Sequence, residues 1–236
     1  MNQNLVLRGI SSMATKSVLS ELTQSYQRQT GVSVEIESVG GVDAAKRIQQ
    51  GEPFDMVLLA SDAIGRLKEA GFVMADSPHD WVDSEIAMAI PAGSSAPVIT
   101  NEATLKAAVL ASASISYSTG PSGVYLEKLF ERWGVLDVIK TRLVVPPPGK
   151  PVGSLVARGE VALGFQQLSE LIALSGIEIL GKLPPDVAFI TTFCAAIPSG
   201  LSPQVERVQA VQDFFRFLSS EPTADVKRTQ GMSPLF

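Results

Sequence analysis

Four short runs of small polar residues could do chemistry together in this chain of 236 residues. They are Gly9-Ile10-Ser11-Ser12, Ser38-Val39-Gly40-Gly41, Ala60-Ser61-Asp62 and Ser118-Thr119-Gly120-Pro121-Ser122-Gly123. Each follows a strand-like apolar run and precedes a helix-like one. A turn of this kind offers serine hydroxyls and the free N–H groups of a helix start, and both suit an anion. Its glycines let the backbone approach a ligand closely. Any one of these runs reads equally well as a helix cap. Four of them at strand ends point to an anion site, because open α/β sheets bind ligands at the carboxyl ends of their strands. Ser11, Ser12, Gly40, Gly41, Ala60, Ser61, Ser118, Gly120 and Ser122 are therefore candidate ligand contacts. Arg8 follows the first apolar run, Leu5-Val6-Leu7, and so is expected at that strand's carboxyl end. A guanidinium there offers a planar fork for a carboxylate. The alternative is an outward-facing surface ion pair.

The elements that must position these residues alternate almost throughout. Thr15 to Gln29 carries Val18, Leu22 and Tyr26 on one helical face and stops at Gly31. Residues 32–38 alternate with period two, as a half-buried strand does. Residues 42–51 and 61–72 read as helices, and 54–60 as a buried parallel strand. Further on, 84–93, 114–118, 161–167 and 189–200 read as strands, as does the stretch from Thr141 into the prolines at 146–148. Residues 101–112, 122–135, 152–160 and 202–220 read as helices. Alternation of this sort predicts mainly parallel sheets covered by helices. Two long strands, 84–90 and 190–197, both end Ala-Ile-Pro-x-Gly, which suits two crossovers between lobes.

Bulk properties exclude several classes. The net charge of −5 argues against general nucleic-acid binding. No apolar run approaches the roughly 18 residues of a membrane span. Cys194 is the only cysteine, so no disulfide or cysteine-based zinc site is expected, and its apolar neighbours predict a buried, inert thiol. His79 is the only histidine and is expected in a solvated loop, which excludes a multi-histidine metal site. There is no nucleotide-binding glycine loop. No cofactor and no metal is expected, and no signal peptide is visible at the start of the chain.

The order of these motifs resembles the periplasmic molybdate-binding proteins of ABC transporters. The run RIQQGEPFDMVLLAS (47–61) carries the likeness most specifically, with PSGVYLEKLFERWGVLD (121–137) and VARGEVALGFQQLSEL (156–171) in support. The resemblance implies a two-lobe, type II periplasmic-binding fold with the ligand in the interlobe cleft. It implies one lobe of residues 1–84 with 196–236 and another of 85–195. It also implies a periplasmic, monomeric protein that holds a small anion with serine hydroxyls and backbone N–H groups. The departures from the family pattern add further candidates. Lys16 and Ser17 arise where the first helix is longer, Lys150 stands near the family's valine loop at Val152, and Gln166-Gln167 stand where a tyrosine often closes the site.

Two readings follow. With Arg8, Lys16 and Lys150 as extra cations, the pocket would suit a polycarboxylate. The resemblance then implies an isomerase that shifts a proton across the allylic system of a small unsaturated tricarboxylate. Lys16, assisted by Ser12, is the catalytic candidate, and a cleft carboxylate is the alternative base. The other reading is a binding protein for molybdate, tungstate or another small anion, with a membrane permease as partner only in that case. A ligand-sensing domain is a third, more distant reading.

Overall fold

The computed structural model describes residues 5–146, 150–200 and 205–236. The last residues of the proline run with Gly149, and the start of the helix expected at 202–220, lie outside the described residues. In chain order the strands are β1 (Val6–Ser12), β2 (Ser33–Val39), β3 (Met56–Ala60), β4 (His79–Pro91), β5 (Ile115–Tyr117), β6 (Leu163–Gln167), β7 (Ile177–Lys182), β8 (Ile190–Ala196) and β9 (Met232–Pro234). The α-helices are α1 (Lys16–Thr30), α2 (Gly41–Gln49), α3 (Ser61–Glu69), α4 (Glu102–Ala111), α5 (Pro121–Arg132), α6 (Leu136–Ile139), α7 (Val152–Ala157), α8 (Leu168–Leu171), α9 (Val205–Leu218) and α10 (Ala224–Thr229).

The chain divides into two compact units, residues 1–84 with 192–236 and residues 85–191. The return crossing was expected near 195 and falls between Thr191 and Thr192. The reason is packing: Phe193, Cys194 and Ala195 are already buried in the apolar clusters of the first unit.

In the first unit β1 lies between β2 and β3, parallel to both. β8 runs antiparallel to β3, and β9 pairs antiparallel with the first half of β4. Strand alternation sends Leu7 to one face and Ile10 to the other. Leu7 joins Val18, Leu19, Leu22 and Tyr26 of α1 and Phe214 and Phe215 of α9. Ile10 joins Ala44 and Ile48 of α2 and Ile64 and Leu67 of α3. Both faces are therefore covered, and each large side chain so buried contributes about 1.5–3 kcal/mol. A half-buried ion pair ties the two sequence segments of this unit together. Arg207 of α9 grips Asp55, with Nη2 to Oδ2 at 2.6 Å, and Asp55 Oδ2 also accepts from the Arg8 N–H at 2.7 Å.

In the second unit β6 pairs parallel with β5 and antiparallel with β4, and β7 is antiparallel to β4. This sheet is mixed rather than mainly parallel, because β4 enters the unit running against its neighbours. One face packs on α4 and α5 through Leu105, Val109, Leu126, Leu129 and Phe130. The other packs on α7 through Val152, Leu155 and Val156.

Two further expectations are corrected. The strand expected after Thr141 is a 3-10 turn at Lys140–Arg142 followed by a single bridge from Leu143 to Ile115. His79 is not a solvated loop residue. It opens β4, stacks on Phe215 and lies 2.6 Å, Nε2 to Oγ, from Ser219. Burial pulls its pKa below the ordinary histidine value.

Lys227 of α10 is completely buried, with Nζ donating to the Trp81 carbonyl at 2.8 Å. Burial lowers its pKa to about 8. Above that pH the unfolded chain holds more protons than the folded one, so this group makes stability rise from about pH 8 to the ordinary lysine pKa near 10.4. The rise should reach up to about 3 kcal/mol. Urea denaturation at pH 7.5 and pH 10 should show this increment in the wild type relative to Lys227→Met, and an equal pH response in the two proteins would exclude it.

Candidate functional site

The serine edge of the first unit is built by register. Ser11 pairs with Ser38 across β1 and β2 and with Leu58 across β1 and β3, so the three strands end nearly level. Each leads almost directly into a helix: β1 through a single 3-10 turn into α1, β2 through Gly40 into α2, and β3 into α3. None of these helices has a side-chain cap on its N-terminal N–H groups. Three positive helix ends therefore gather at one edge.

Hydroxyls complete this edge. Ser11 is fully buried, and its Oγ lies 2.8 Å from Ser38 Oγ. Ser12 is 9% exposed, and its buried Oγ has no hydrogen-bond partner. A buried hydroxyl without a partner costs about 1–3 kcal/mol, so a ligand or water that meets it is favoured. A Cβ placed on Gly41 would lie 3.8 Å from Ser12 Cβ, which sets the start of α2 beside that hydroxyl. Lys16 and Ser17 are the first residues of α1, and both are exposed. Ala60 is buried at the end of β3, and Ser61 donates to Asp80 Oδ1 at 2.7 Å.

Arg8 does not belong to this edge. The strand runs on through Gly9-Ile10-Ser11 to Ser12, so Arg8 lies four residues, about 13 Å, before the carboxyl end. Its side chain is exposed, 5.8 Å from the centre of the Phe54 ring, and its register partner is Glu35. The sequence run Gly-Ile-Ser-Ser read as a turn, but pairing on both sides with β2 and β3 keeps it extended.

The second unit has an edge of its own. Ser118 Oγ lies 2.8 Å from Ser122 Oγ, and Gly120 is the uncapped N-cap of α5. Glycine is required at position 123, where a Cβ would fall 1.6 Å from the Ser118 carbonyl oxygen. A cavity of about 250 Å³ adjoins this turn, with Tyr117, Ser118, Val124 and Glu127 in its walls. Val152, buried, opens α7. Gln166 Oε1 accepts from the Gly153 N–H at 2.8 Å, and its Nε2 donates to Glu170 Oε1 at 2.8 Å. Gln167 is 5% exposed; its Nε2 donates to Thr191 Oγ1 at 2.8 Å, and its Oε1 is buried without a partner. Lys150 is exposed, and its charge acts on Glu160.

Glu170 and Thr191 were not found from the sequence. Burial raises the Glu170 carboxyl to about pH 7, against the opposing pull of the Gln166 hydrogen bond. Nothing in the local pattern Leu-Ser-Glu-Leu marks the carboxyl of this half-buried glutamate as desolvated. The one usable signal was indirect, since two adjacent glutamines ending a buried strand need polar partners. Among the described residues, no group of three or more His, Cys, Asp or Glu side chains could hold a metal ion.

Two outcomes are expected. The folded-state pKa of Glu170 lies above its unfolded value, so its contribution to stability is fully present below about pH 4.5 and is lost as pH rises through about 7. Glu170→Gln should remove about 1–3 kcal/mol of this pH dependence and be the more stable protein at pH 8. Denaturant unfolding of both proteins at pH 5 and pH 8 measures it, and parallel curves would refute it. Ser12→Ala should leave the unfolding free energy at or slightly above the wild-type value, because the hydroxyl removed has no partner. A loss of more than about 1 kcal/mol in the same assay would mean that Ser12 has a structural bond.

The chain is 34% identical over 234 residues to an aconitate isomerase from Pseudomonas sp, covering 96% of this chain and 87% of the other. It is 19% identical to the molybdate-binding protein ModA of Escherichia coli (strain K12), covering 92% and 84%. Its fold matches the periplasmic molybdate-binding protein of Azotobacter vinelandii with a TM-score of 0.77 at 19% identity, covering 96% and 98%. No helix among the described residues is long and apolar enough to cross a membrane. With strands that end in uncapped helices, and with residues 7–233 matching its family profile, the chain belongs to the bacterial extracellular solute-binding protein family.

Proposed function

We propose that this protein is an aconitate isomerase that interconverts trans- and cis-aconitate by an allylic proton shift. The observation that carries the reading is the 34% identity, spread over 96% of the chain, to an aconitate isomerase. The chemistry asks for few groups. A base removes a proton from the methylene carbon that lies between a carboxylate and the double bond. The electron pair left behind delocalises over the three-carbon system and onto carboxylate oxygen. The proton then returns to the other end of that system, and the double bond has moved.

The serine edge supports this reading in two ways. Uncapped helix N-termini and the Ser12 hydroxyl stabilise negative charge as it develops, without reorganising. Lys16, the first residue of α1, is the proposed proton-transfer group, with Ser12 as its assisting donor. In the second unit Ser118, Ser122, Val152 and Gln167 are the proposed contacts for substrate carboxylates. The reaction needs no cofactor. The protein acts as an exported, periplasmic monomer on a small tricarboxylate, with no nucleic-acid partner.

One observation favours a second reading, that of a binding protein for a small oxyanion. The groups gathered at the serine edge are mostly neutral hydroxyls and N–H donors, and Arg8 is not among them. Such an edge suits a tetrahedral anion as well as a carboxylate.

Proton NMR of the purified protein with cis-aconitate in D2O separates the two. Appearance of trans-aconitate establishes the isomerase, and deuterium in the product shows exchange of the transferred proton with solvent. Absence of conversion, with tight molybdate or tungstate binding by calorimetry, establishes the binding protein. Lys16→Ala and Ser12→Ala should each slow conversion at least tenfold. Arg8→Ala should convert within about twofold of wild type, and a large loss there would return Arg8 to the site.

A further inference from the structure

The second unit holds a polar relay that the proposed chemistry does not use; it runs from the buried Gly153 and Gln166 to the half-buried Glu170. Glu170 Oε1 accepts from Gln166 Nε2, and Gln166 Oε1 accepts from the Gly153 N–H, both at 2.8 Å. Gln166 is only 2% exposed, and both ends of its amide are bonded inside the protein. The order of the relay is fixed by chemistry. A backbone N–H can only donate, so Gln166 must turn its oxygen to Gly153 and its NH2 group to Glu170. An apolar side chain at 170 would leave that NH2 group buried and unpaired, and the amide would lose its orientation.

Packing makes the relay a positional device. A Cβ on Gly153 would fall 2.4 Å from Leu174 Cδ1 and 2.9 Å from Leu171 Cδ2. The backbone at Val152–Gly153 is thus pressed onto the segment that carries Glu170. Steric contact sets how near the backbone sits, and the Gln166 carbonyl sets how it is turned. Small displacements of this kind matter where a ligand is to be held by backbone groups.

Resting on the isomerase reading and on Val152 as a substrate contact, we propose that Glu170 is a positioning residue, which through Gln166 holds the Val152–Gly153 backbone where a substrate carboxylate is received. Glu170 itself need not touch the substrate. Its effect should therefore fall on binding more than on the proton transfer.

The test compares Glu170→Met, Gln166→Met and Glu170→Gln with wild type, with steady-state kinetics on cis-aconitate and a thermal melt of each. Glu170→Met and Gln166→Met should raise KM at least tenfold while kcat stays within threefold. Glu170→Gln keeps an oxygen that can accept from Gln166 and should return KM to within threefold of wild type. Should Glu170→Met not fold, Gln166→Met breaks the same relay at its middle. A wild-type KM in both methionine variants overturns the proposal. So does a Glu170→Gln enzyme as impaired as Glu170→Met, which would assign the effect to the charge of the carboxylate. If the wild type converts neither aconitate isomer, the isomerase reading fails, and calorimetric Kd values for molybdate and sulfate in the same variants decide the positioning role. A tenfold loss in the methionine variants, restored in Glu170→Gln, upholds it. Failure of the wild type to bind any of these anions overturns both.

Discussion

The register of β1 against its two neighbours is the constraint on which the first unit depends. Pairing of Ser11 with Ser38 and with Leu58 brings three parallel strands to an end at one level. Because each strand turns into a helix within a few residues, level strands mean level helix starts. A slip of one residue would carry Leu7 and Ile10 to the wrong faces and take each out of its apolar cluster. It would also separate the two serine hydroxyls. The core and the candidate site are therefore fixed by the same pairing, and one cannot shift without the other.

Charge is distributed to match. The ion pairs of this unit do not use the serine hydroxyls. Arg47 reaches both Glu37 and Glu52, and Arg207 grips the buried Asp55. Arg8 shares the Phe54 ring with Arg47 in this acidic surrounding. At the serine edge the donors are mostly hydroxyls and backbone N–H groups, with Lys16 the cation at the start of α1. Neutral donors held by a rigid frame can receive an anion without the desolvation cost of a buried counter-charge. In the second unit the same economy of charge holds. Gln166 and Gln167 are neutral, and desolvation raises the nearby Glu170 carboxyl to about pH 7.

Much of this was readable from residue order. The helices were legible because their apolar residues recur at helical spacing and glycines stop them, as Gly31 does at the end of α1. The small polar turns were legible because Ser and Gly have few uses between a strand and a helix. The extent of β1 was not. Gly9-Ile10-Ser11-Ser12 has the composition of a turn, and only pairing with strands on both sides makes it extended. Its turn-like composition points Arg8 to the strand's carboxyl end, whereas pairing leaves Arg8 four residues before it. Glu170 was hidden for a related reason. Its exposure depends on α7 and the residues after α8, which nothing adjacent in sequence announces.

The sequence by itself determined the alternation of strands and helices, the small residues at the strand ends and the family likeness, because these rest on local spacing and on short motifs. Tertiary structure alone decided which polar groups lack partners and which charges are buried. Ser12 and Gln167 keep an unpartnered oxygen, Gln166 does not, and Lys227 lies in the core although Asp225 and Arg228 beside it are exposed. Hydrogen-bond satisfaction and desolvation depend on every atom around a group. Most of those atoms belong to residues far away in the chain.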